Sequence, residues 1–313
     1  MPMRLIRGAY NFRPAMRGCV ATIGNYDGVH LGHQAVLRKL LTRARARGLP
    51  ATVIVFEPQP AEYFGGAAAP ARLSSLRDKC GLLAACGIDR LLVLKFDAAL
   101  ASLTAAEFIK SFLIDKLGIK GLIVGDDFKF GCDRGGDYST LLKFAAEFDF
   151  SLERASSFLS NAERTSSTRL RAALQAGDFS AVPDLLGHPY RIVGRVVHGN
   201  ENGREIGFPT ANLNLNRRKP PLNGIFAARV AGLAARPLAA IAYVGTRPII
   251  GGEKFVLEVH IFDYSADCYG QHLQVEFLAK IRDDLPFTNF DALAKQIAAD
   301  CAQAREILKA QPC

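Results

Sequence analysis

The feature that most constrains this chain is a change of rhythm partway along it. Through the first half, short apolar runs alternate with amphipathic segments. Residues 18–23 (GCVATI), 51–56 (ATVIVF), 89–95 (DRLLVLK) and 120–124 read as strands, and a fifth covers about 150–155. Between them lie helical patterns. One spans 31–47 and ends at Gly48; another can be capped by Ser74 or Ser75 and stops at Gly87; a third opens with the capping-box pair Thr104 and Glu107 and ends near Gly118. Residues 58–70, rich in Gly, Ala and Pro, read as a loop. Short apolar strands separated by helices predict parallel βαβ units, with helices on both faces of one sheet. Ligands of such sheets bind beyond the carboxyl ends of the strands. The loops after Ile23, Phe56 and Val124 should therefore carry the chemistry.

Near residues 183–189 the helices drop out. Residues 190–197, 224–230, 238–244, 254–262 and 273–281 are strand-like, with Gly, Pro and Asn turns between them. That pattern predicts an antiparallel sheet or closed barrel, followed by one amphipathic helix over about 289–310. With 313 residues, two domains are expected, 1–185 and 186–313.

The formal net charge is +9, which points to polyanionic partners, phosphorylated small molecules among them. The densest basic groups, Arg43/Arg45/Arg47 and Arg217/Arg218/Lys219, read as solvated surface. No aromatic residues interleave with them, so no nucleic-acid partner is expected. Seven cysteines without a C-x-x-C pair argue against a disulfide framework or zinc site, and for a reducing compartment. No apolar run of 18 residues occurs and the first residues lack a signal-peptide core, so no membrane span is expected and a cytoplasmic location is.

The segment TIGNYDGVHLGH, residues 22–33, follows the first strand and opens a helix. Gly24 and Gly28 permit a tight turn and close backbone approach. The N–H groups of the helix beyond suit phosphate. His30 and His33, three apart, share a helical face. They either donate hydrogen bonds to a phosphate as charge builds, or are solvated, or cap the helix. No Glu follows His30 and no third ligand is local, which disfavours zinc.

This segment resembles the G-x-F-D-x-x-H-x-G-H signature of the nucleotidyltransferase superfamily, with Tyr26 where Phe is usual. Three further segments resemble the bacterial FAD synthetase branch: FEPQP at 56–60, with Gln59 where His is frequent; VGDDFKFG at 124–131; and RTSSTRLR at 164–171. The resemblance implies an α/β nucleotidyltransferase domain, a Rossmann-like parallel sheet, that binds ATP through Gly24, Asp27, Gly28, Arg164, Ser167, Thr168 and Arg171. Ser167 and Thr168 are expected to cap a helix running through Leu174. Asp127 could bind Mg²⁺, or a flavin or ribose hydroxyl; plain turn chemistry is the alternative for it and Asp126. The implied reaction is attack of an FMN phosphate oxygen on the α-phosphorus of ATP, with His30 and His33 stabilising charge and no covalent enzyme intermediate.

The second half has no G-x-x-x-x-G-K-[ST] loop. It contains HGNENGREIGFPTANL, residues 198–213, which resembles the glycine loop and P-T-A-N motif of riboflavin kinases. Gly199, Gly203 and Gly207 give a backbone able to wrap phosphates. Thr210 and Asn212 offer hard oxygen ligands for Mg²⁺. In the strand at 255–263, period-two geometry puts Leu257, Val259 and Ile261 on one face and Glu258, His260 and Phe262 on the other. By resemblance Glu258 is the general base for the riboflavin 5′-hydroxyl; His260 reads either as structural or as a support for the residues that touch substrate. Family matches continue at 224–226, 245–248, 267–270 and in the terminal helix, with Asp300 and Arg305. Ile249 stands where Thr is common, and Tyr243-Val244 where Asn-Ile is usual.

The whole pattern resembles bacterial bifunctional riboflavin kinase/FAD synthetases. It implies riboflavin, FMN and FAD as substrates and products, ATP as co-substrate, Mg²⁺ as cofactor, and an all-β barrel domain with a terminal helix. A riboflavin kinase alone, or a flavin-binding regulator without catalysis, are the alternatives; a binder needs no general base.

Overall fold

A computed structural model describes residues 2–155, 159–160, 163–199, 203, 207–215, 217, 219–249, 252–287 and 289–311. The side chains at 159, 160, 163, 247–249 and 252–254 lie outside that description, Ile249 among them. The chain divides into two compact units: Met1–Pro70 with Lys79–Thr165, and Ala71–Asp78 with Ser166–Cys313.

The first unit is built on six parallel strands: β1 (Arg4–Arg7), β2 (Cys19–Ile23), β3 (Ala51–Glu57), β4 (Arg90–Lys95), β5 (Ile119–Gly125) and β6 (Ser151–Ala155), in the order β1-β4-β3-β2-β5-β6. The crossovers hold α1 (Leu31–Ala46), α2 (Pro60–Gly65), α3 (Leu76–Ala85), α4 (Ala98–Ala101), α5 (Ala105–Glu107, running on as a wider π-type helix over Phe108–Leu117) and α6 (Tyr138–Phe148). The Thr104–Glu107 capping box forms as its spacing predicts. All five expected strands are present. Strand β1 and helix α6 were not foreseen: β1 buries only Ile6 of its four residues, which leaves no period to read. The expected 58–70 loop contains α2, whose first turn is closed by a reciprocal box between Gln59 and Glu62.

This strand order creates a switch point. From β2 the chain winds outward through β3 and β4 on one side and through β5 and β6 on the other. The loops leaving β2 and β5 therefore diverge above neighbouring strands, with Thr22 beside Ile123. That crevice is where open α/β sheets bind ligands.

The second unit is a closed antiparallel barrel: β9 (Tyr190–Val197), β10 (Ala211–Asn214), β11 (Gly224–Ala231), β12 (Leu238–Ile249), β13 (Gly252–Ile261) and β14 (His272–Arg282), in the order β10-β13-β12-β11-β14-β9. Five of these strands were expected; the four-residue β10, which closes the barrel by pairing with both β13 and β9, was not. Leu257, Val259 and Ile261 face the interior, as their spacing predicts. The terminal helix, capped by Asn289 (α9, Phe290–Ala310), lies on the outer face, where Cys301, Ala304 and Leu308 meet Ala227, Ile241 and Phe262. A short ribbon, β7 (Leu159–Ser160) with β8 (Glu163–Arg164), belongs to neither sheet.

Helices α7 (Ser167–Ala176) and α8 (Val182–Leu186) bury Leu170, Leu174, Val182 and Leu185 in the same cluster as Ile192 and Phe277 of the barrel. That is why residues 166–185 compact with the barrel. Segment 71–78 joins it through Leu73 and through Asp78. The side chain of Arg217, read from sequence as solvated surface, is fully buried instead. Its guanidinium meets the Asp78 carboxylate at 2.6 Å and donates to the Leu73 carbonyl and the Tyr190 hydroxyl at 3.0 Å. A planar cation with five donors can be buried only where each finds an oxygen, and this corner supplies them. The other basic group does lie at the surface, but it is paired: Arg43 with Glu153, and Arg45 in a fork on Asp89.

Removing one partner of a buried ion pair strands the other's charge. Asp78→Ala should therefore cost about 3–5 kcal/mol in urea unfolding, and adding Arg217→Met should recover most of that loss. A loss under about 1 kcal/mol for the single variant, the scale of an exposed pair, would refute this account of the corner.

Candidate active sites

In the first unit, the β2–α1 loop turns tightly on left-handed residues. Gly28 has φ 81°, and Tyr26 and Val29, at 46° and 44°, adopt a region that costs any residue with a Cβ. Tyr26 is buried, and its hydroxyl sits 2.7 Å from Thr22 Oγ1. That bond accommodates the phenol where the related signature has Phe. Gly24 keeps its place because a Cβ there would meet the Tyr26 ring at 3.3 Å. Asp27 is buried in the same turn.

His30 caps α1: its Nδ1 accepts from the His33 N–H at 3.3 Å. A neutral ring that accepts at Nδ1 carries its proton on Nε2, so it can donate there. His33 stacks on His30 with ring centroids 3.7 Å apart, and lies 4.9 Å from the Tyr26 ring. Burial, then the His30 and Lys79 charges, hold His33 well below the ordinary imidazole value. Its Nδ1 is buried with no hydrogen-bond partner among the described residues. The start of the 164–171 motif reaches this turn: a Cβ on Gly32 would sit 3.2 Å from the Thr165 carbonyl and 3.1 Å from the His30 ring. Of the readings open for His30, the structure shows the helix cap, with the ring buried at a helix N-terminus of the kind that suits phosphate.

The structure corrects one detail of the motif that follows. Ser166, not Ser167 or Thr168, caps α7, with its Oγ accepting from the Arg169 N–H at 3.2 Å. Ser166 is the last extended residue, so it alone has the cap geometry, and Ser167 and Thr168 supply N–H groups in the first helical turn. Arg171 Nε donates to the Ala71 carbonyl at 2.5 Å. Arg164 pairs with the exposed Asp127 at 3.3 Å.

Asp127 also borders a cavity of about 750 Å³ in the first unit, beside Gly24 and Asn25. Its walls are aromatic: Phe56, Phe64, Phe96, Phe108, Phe128 and Phe130. Sequence reading did not find this wall, because its rings come from five separate segments. The Phe128/Phe130 pair beside Asp127 was the available signal. Gln59 is not in this lining; it is buried as the cap of α2.

In the second unit, Asn212 on β10 stands in register with Glu258 on β13, and Tyr243 on β12 flanks Glu258 from the other side. Glu258 and Thr210 line one cavity of about 330 Å³ with Gly203, Tyr243 and His260. Thr210 also borders a second cavity of about 320 Å³, formed with the 264–269 turn. Gly203 lies so near the Phe208 carbonyl that a Cβ would come within 2.5 Å of it, and 3.4 Å from Thr210 Oγ1. Gly199 leaves no room for a Cβ beside the Asn212 amide. Gly207, at φ 84°, is exposed. Residues 200–202 and 204–206 of this loop lie outside the described residues.

The floor of the larger cavity is braced by ionic contacts. Arg282 forks onto the buried Asp300 of α9 at 2.7–3.1 Å, and Gln296 donates to the same carboxylate at 2.8 Å. Tyr243 donates to Asp284 at 2.8 Å. His260 contacts the Pro209 carbonyl at 2.8 Å. Among the described residues no three His, Cys, Asp or Glu side chains cluster as a metal site. A cation beside Thr210 and Asn212 would need substrate phosphates to complete its shell, as Mg²⁺ sites commonly do.

Comparison with known proteins finds two family matches along the chain. The FAD synthetase family model matches residues 13–169 and the riboflavin kinase model residues 186–308. A protein of Escherichia coli strain K12 named bifunctional riboflavin kinase/FMN adenylyltransferase is 48% identical over 305 residues, covering 97% of both chains. One of the same name from Haemophilus influenzae is 46% identical, covering 97% of this chain and 98% of its own. The crystal structure of a protein named as a macrolide-efflux protein from Streptococcus pneumoniae is 32% identical, with TM-score 0.76 over 97% of this chain and 99% of its own. No helix among the described residues is long and apolar enough to cross a membrane.

The depressed His33 value has a consequence for stability. A neutral buried imidazole contributes fully above its ordinary value near 6.5, and the contribution is lost as pH falls below that toward the depressed value. The melting-temperature gap between wild type and a His33→Gln variant should shift against wild type between about pH 7 and pH 5. A gap independent of pH would contradict a neutral His33.

Proposed function

The chain belongs to the bifunctional riboflavin kinase/FMN adenylyltransferase family, and from this we infer that it phosphorylates riboflavin to FMN with ATP and then adenylylates FMN to FAD, releasing pyrophosphate. Residues 186–313 are the proposed kinase domain and residues 1–185 the adenylyltransferase domain. The observation that carries the kinase reading is the register of Asn212 with Glu258, at a cavity that Glu258 shares with Thr210.

In the kinase reaction Glu258 takes the proton of the riboflavin 5′-hydroxyl as that oxygen attacks the γ-phosphorus, and ADP leaves. The Gly199, Gly203 and Gly207 backbone wraps the phosphates. Thr210 and Asn212 would hold Mg²⁺, which when bound neutralises phosphate charge. In the second reaction a phosphate oxygen of FMN attacks the α-phosphorus of ATP. His30 donates from Nε2, and the N–H groups at the start of α1 face the charge that builds, with His33 behind them. Gly24, Asp27 and Gly28 shape that turn. Arg164, Ser167, Thr168 and Arg171 are assigned to the ATP phosphates by their motif. The aromatic cavity suits an isoalloxazine ring, which stacks on such walls, and Asp127 at its edge is the candidate for a flavin hydroxyl or a cation. The six free cysteines among the described residues accord with a reducing cytoplasm.

Two variants separate the sites. With riboflavin and MgATP, Glu258→Gln should lower FMN formation by about 10²- to 10⁴-fold, the scale of a lost general base, yet leave supplied FMN converted to FAD. His30→Ala should do the reverse, slowing FAD formation by about 10²-fold or more. Loss of both activities in a folded Glu258→Gln protein would sink the two-site reading.

A further inference from the structure

Tyr243 and Asp284 belong neither to the glycine loop, nor to the P-T-A-N motif, nor to the Glu258 strand. They lie 41 residues apart, yet the tyrosine hydroxyl donates to the Asp284 carboxylate at 2.8 Å. Both line the cavity of about 330 Å³ that Glu258 lines, and Leu285 and Phe287 of the same turn line it too. We propose that Tyr243 is a positioning residue for riboflavin: its bond to Asp284 fixes the turn at 283–287 as the cavity wall that receives the flavin ring. This rests on the kinase reading above and names how that site holds its acceptor.

The barrel sets the geometry. Tyr243 on β12 stands opposite Glu258 on β13, so the two side chains leave the sheet on one face. Its neighbours Ala242 and Val244 are fully buried in the core on the other face. The ring lies along its own strand over Gly245, where a Cβ would collide with it. That bare position gives the ring room to reach Asp284.

The turn is held at two points. At its base, Arg282 forks onto Asp300 and donates to the Asp283 carbonyl at 2.9 Å, and its guanidinium lies 5.7 Å from the Phe287 ring. At its tip, one oxygen of Asp284 accepts from the Leu285 N–H at 2.9 Å and the other accepts from Tyr243. Residues 283–286 are exposed, so burial does little to hold them and the tyrosine bond ties them to the barrel wall. Leu285 and, at the start of α9, Phe290 are large apolar side chains left exposed at this cavity. A ligand with a flat apolar ring would cover them, and a flavin carries one.

The test uses the full-length protein as wild type, Tyr243→Phe, Asp284→Ala and the double variant. Riboflavin binding is followed without ATP by quenching of flavin fluorescence, and phosphorylation by steady-state kinetics. Each single variant should weaken riboflavin binding and raise KM for riboflavin by about 3- to 10-fold, the scale of one lost hydrogen bond, with kcat and KM for ATP within about twofold. Because both side chains act through one bond, the double variant should bind no worse than the weaker single variant. Unchanged riboflavin binding in Tyr243→Phe would overturn the proposal. So would losses that multiply in the double variant, which mark two independent residues. A joint fall in kcat and rise in KM for ATP, with a lowered melting temperature, would also overturn it, by marking a merely structural bond. A wild type that binds riboflavin but leaves it unphosphorylated would instead defeat the kinase reading, and the binding comparison would still judge the tyrosine.

Discussion

Closure of the barrel through Ala211–Asn214 is the constraint on which the second site depends. Three of these four residues pair with β13 on one side and three with β9 on the other. Every interior strand then has its hydrogen bonds made, and no edge is left to mispair. The same pairing sets Asn212 opposite Glu258. Side chains alternate across a strand, so a slip of one residue would turn Glu258 into the barrel core and Leu257 out of it. The apolar interior, with Leu257 and Val259 fully buried, fixes the register and with it the carboxylate. Arg282 and Asp300 then hold α9 over the outer face, which makes that face a cavity rather than open surface.

The first unit reaches a comparable result by other means. A parallel sheet leaves its chemistry to the loops at the carboxyl ends, and the β2–α1 loop answers with a turn that only Gly28 tolerates without strain. Tyr26 and Val29 accept left-handed backbone because burial and the Thr22 bond hold them there. The strain keeps the turn tight, and the turn presents the first N–H groups of α1. His30 caps that helix through Nδ1, which leaves Nε2 to carry the proton of the neutral ring.

Much of this was legible in sequence because period and spacing report burial. The period-two strand at 255–261 placed Glu258 away from the core, and the Thr104–Glu107 spacing gave a cap the structure reproduces. What could not be read lacked a local signal. Strand β10 is too short to show a period, and β1 buries one residue of four. The aromatic cavity gathers rings from distant segments, so only the folded chain assembles it. Arg217 looked like surface charge because its partner, Asp78, lies 139 residues earlier. Ser166 shows the limit of motif reading: the segment was right, but one residue decides the cap, and only the backbone turn identifies it.

The central claim is that two separate pockets use different phosphates of ATP on one flavin. Isotope position tests it directly. Riboflavin is incubated with the intact protein and ATP labelled at either the γ- or the α-phosphorus, and the flavins are separated. Label from the γ position should appear in FMN and in FAD, and label from the α position in FAD alone. Label from the α position in FMN, or FAD formed without it, would contradict the account.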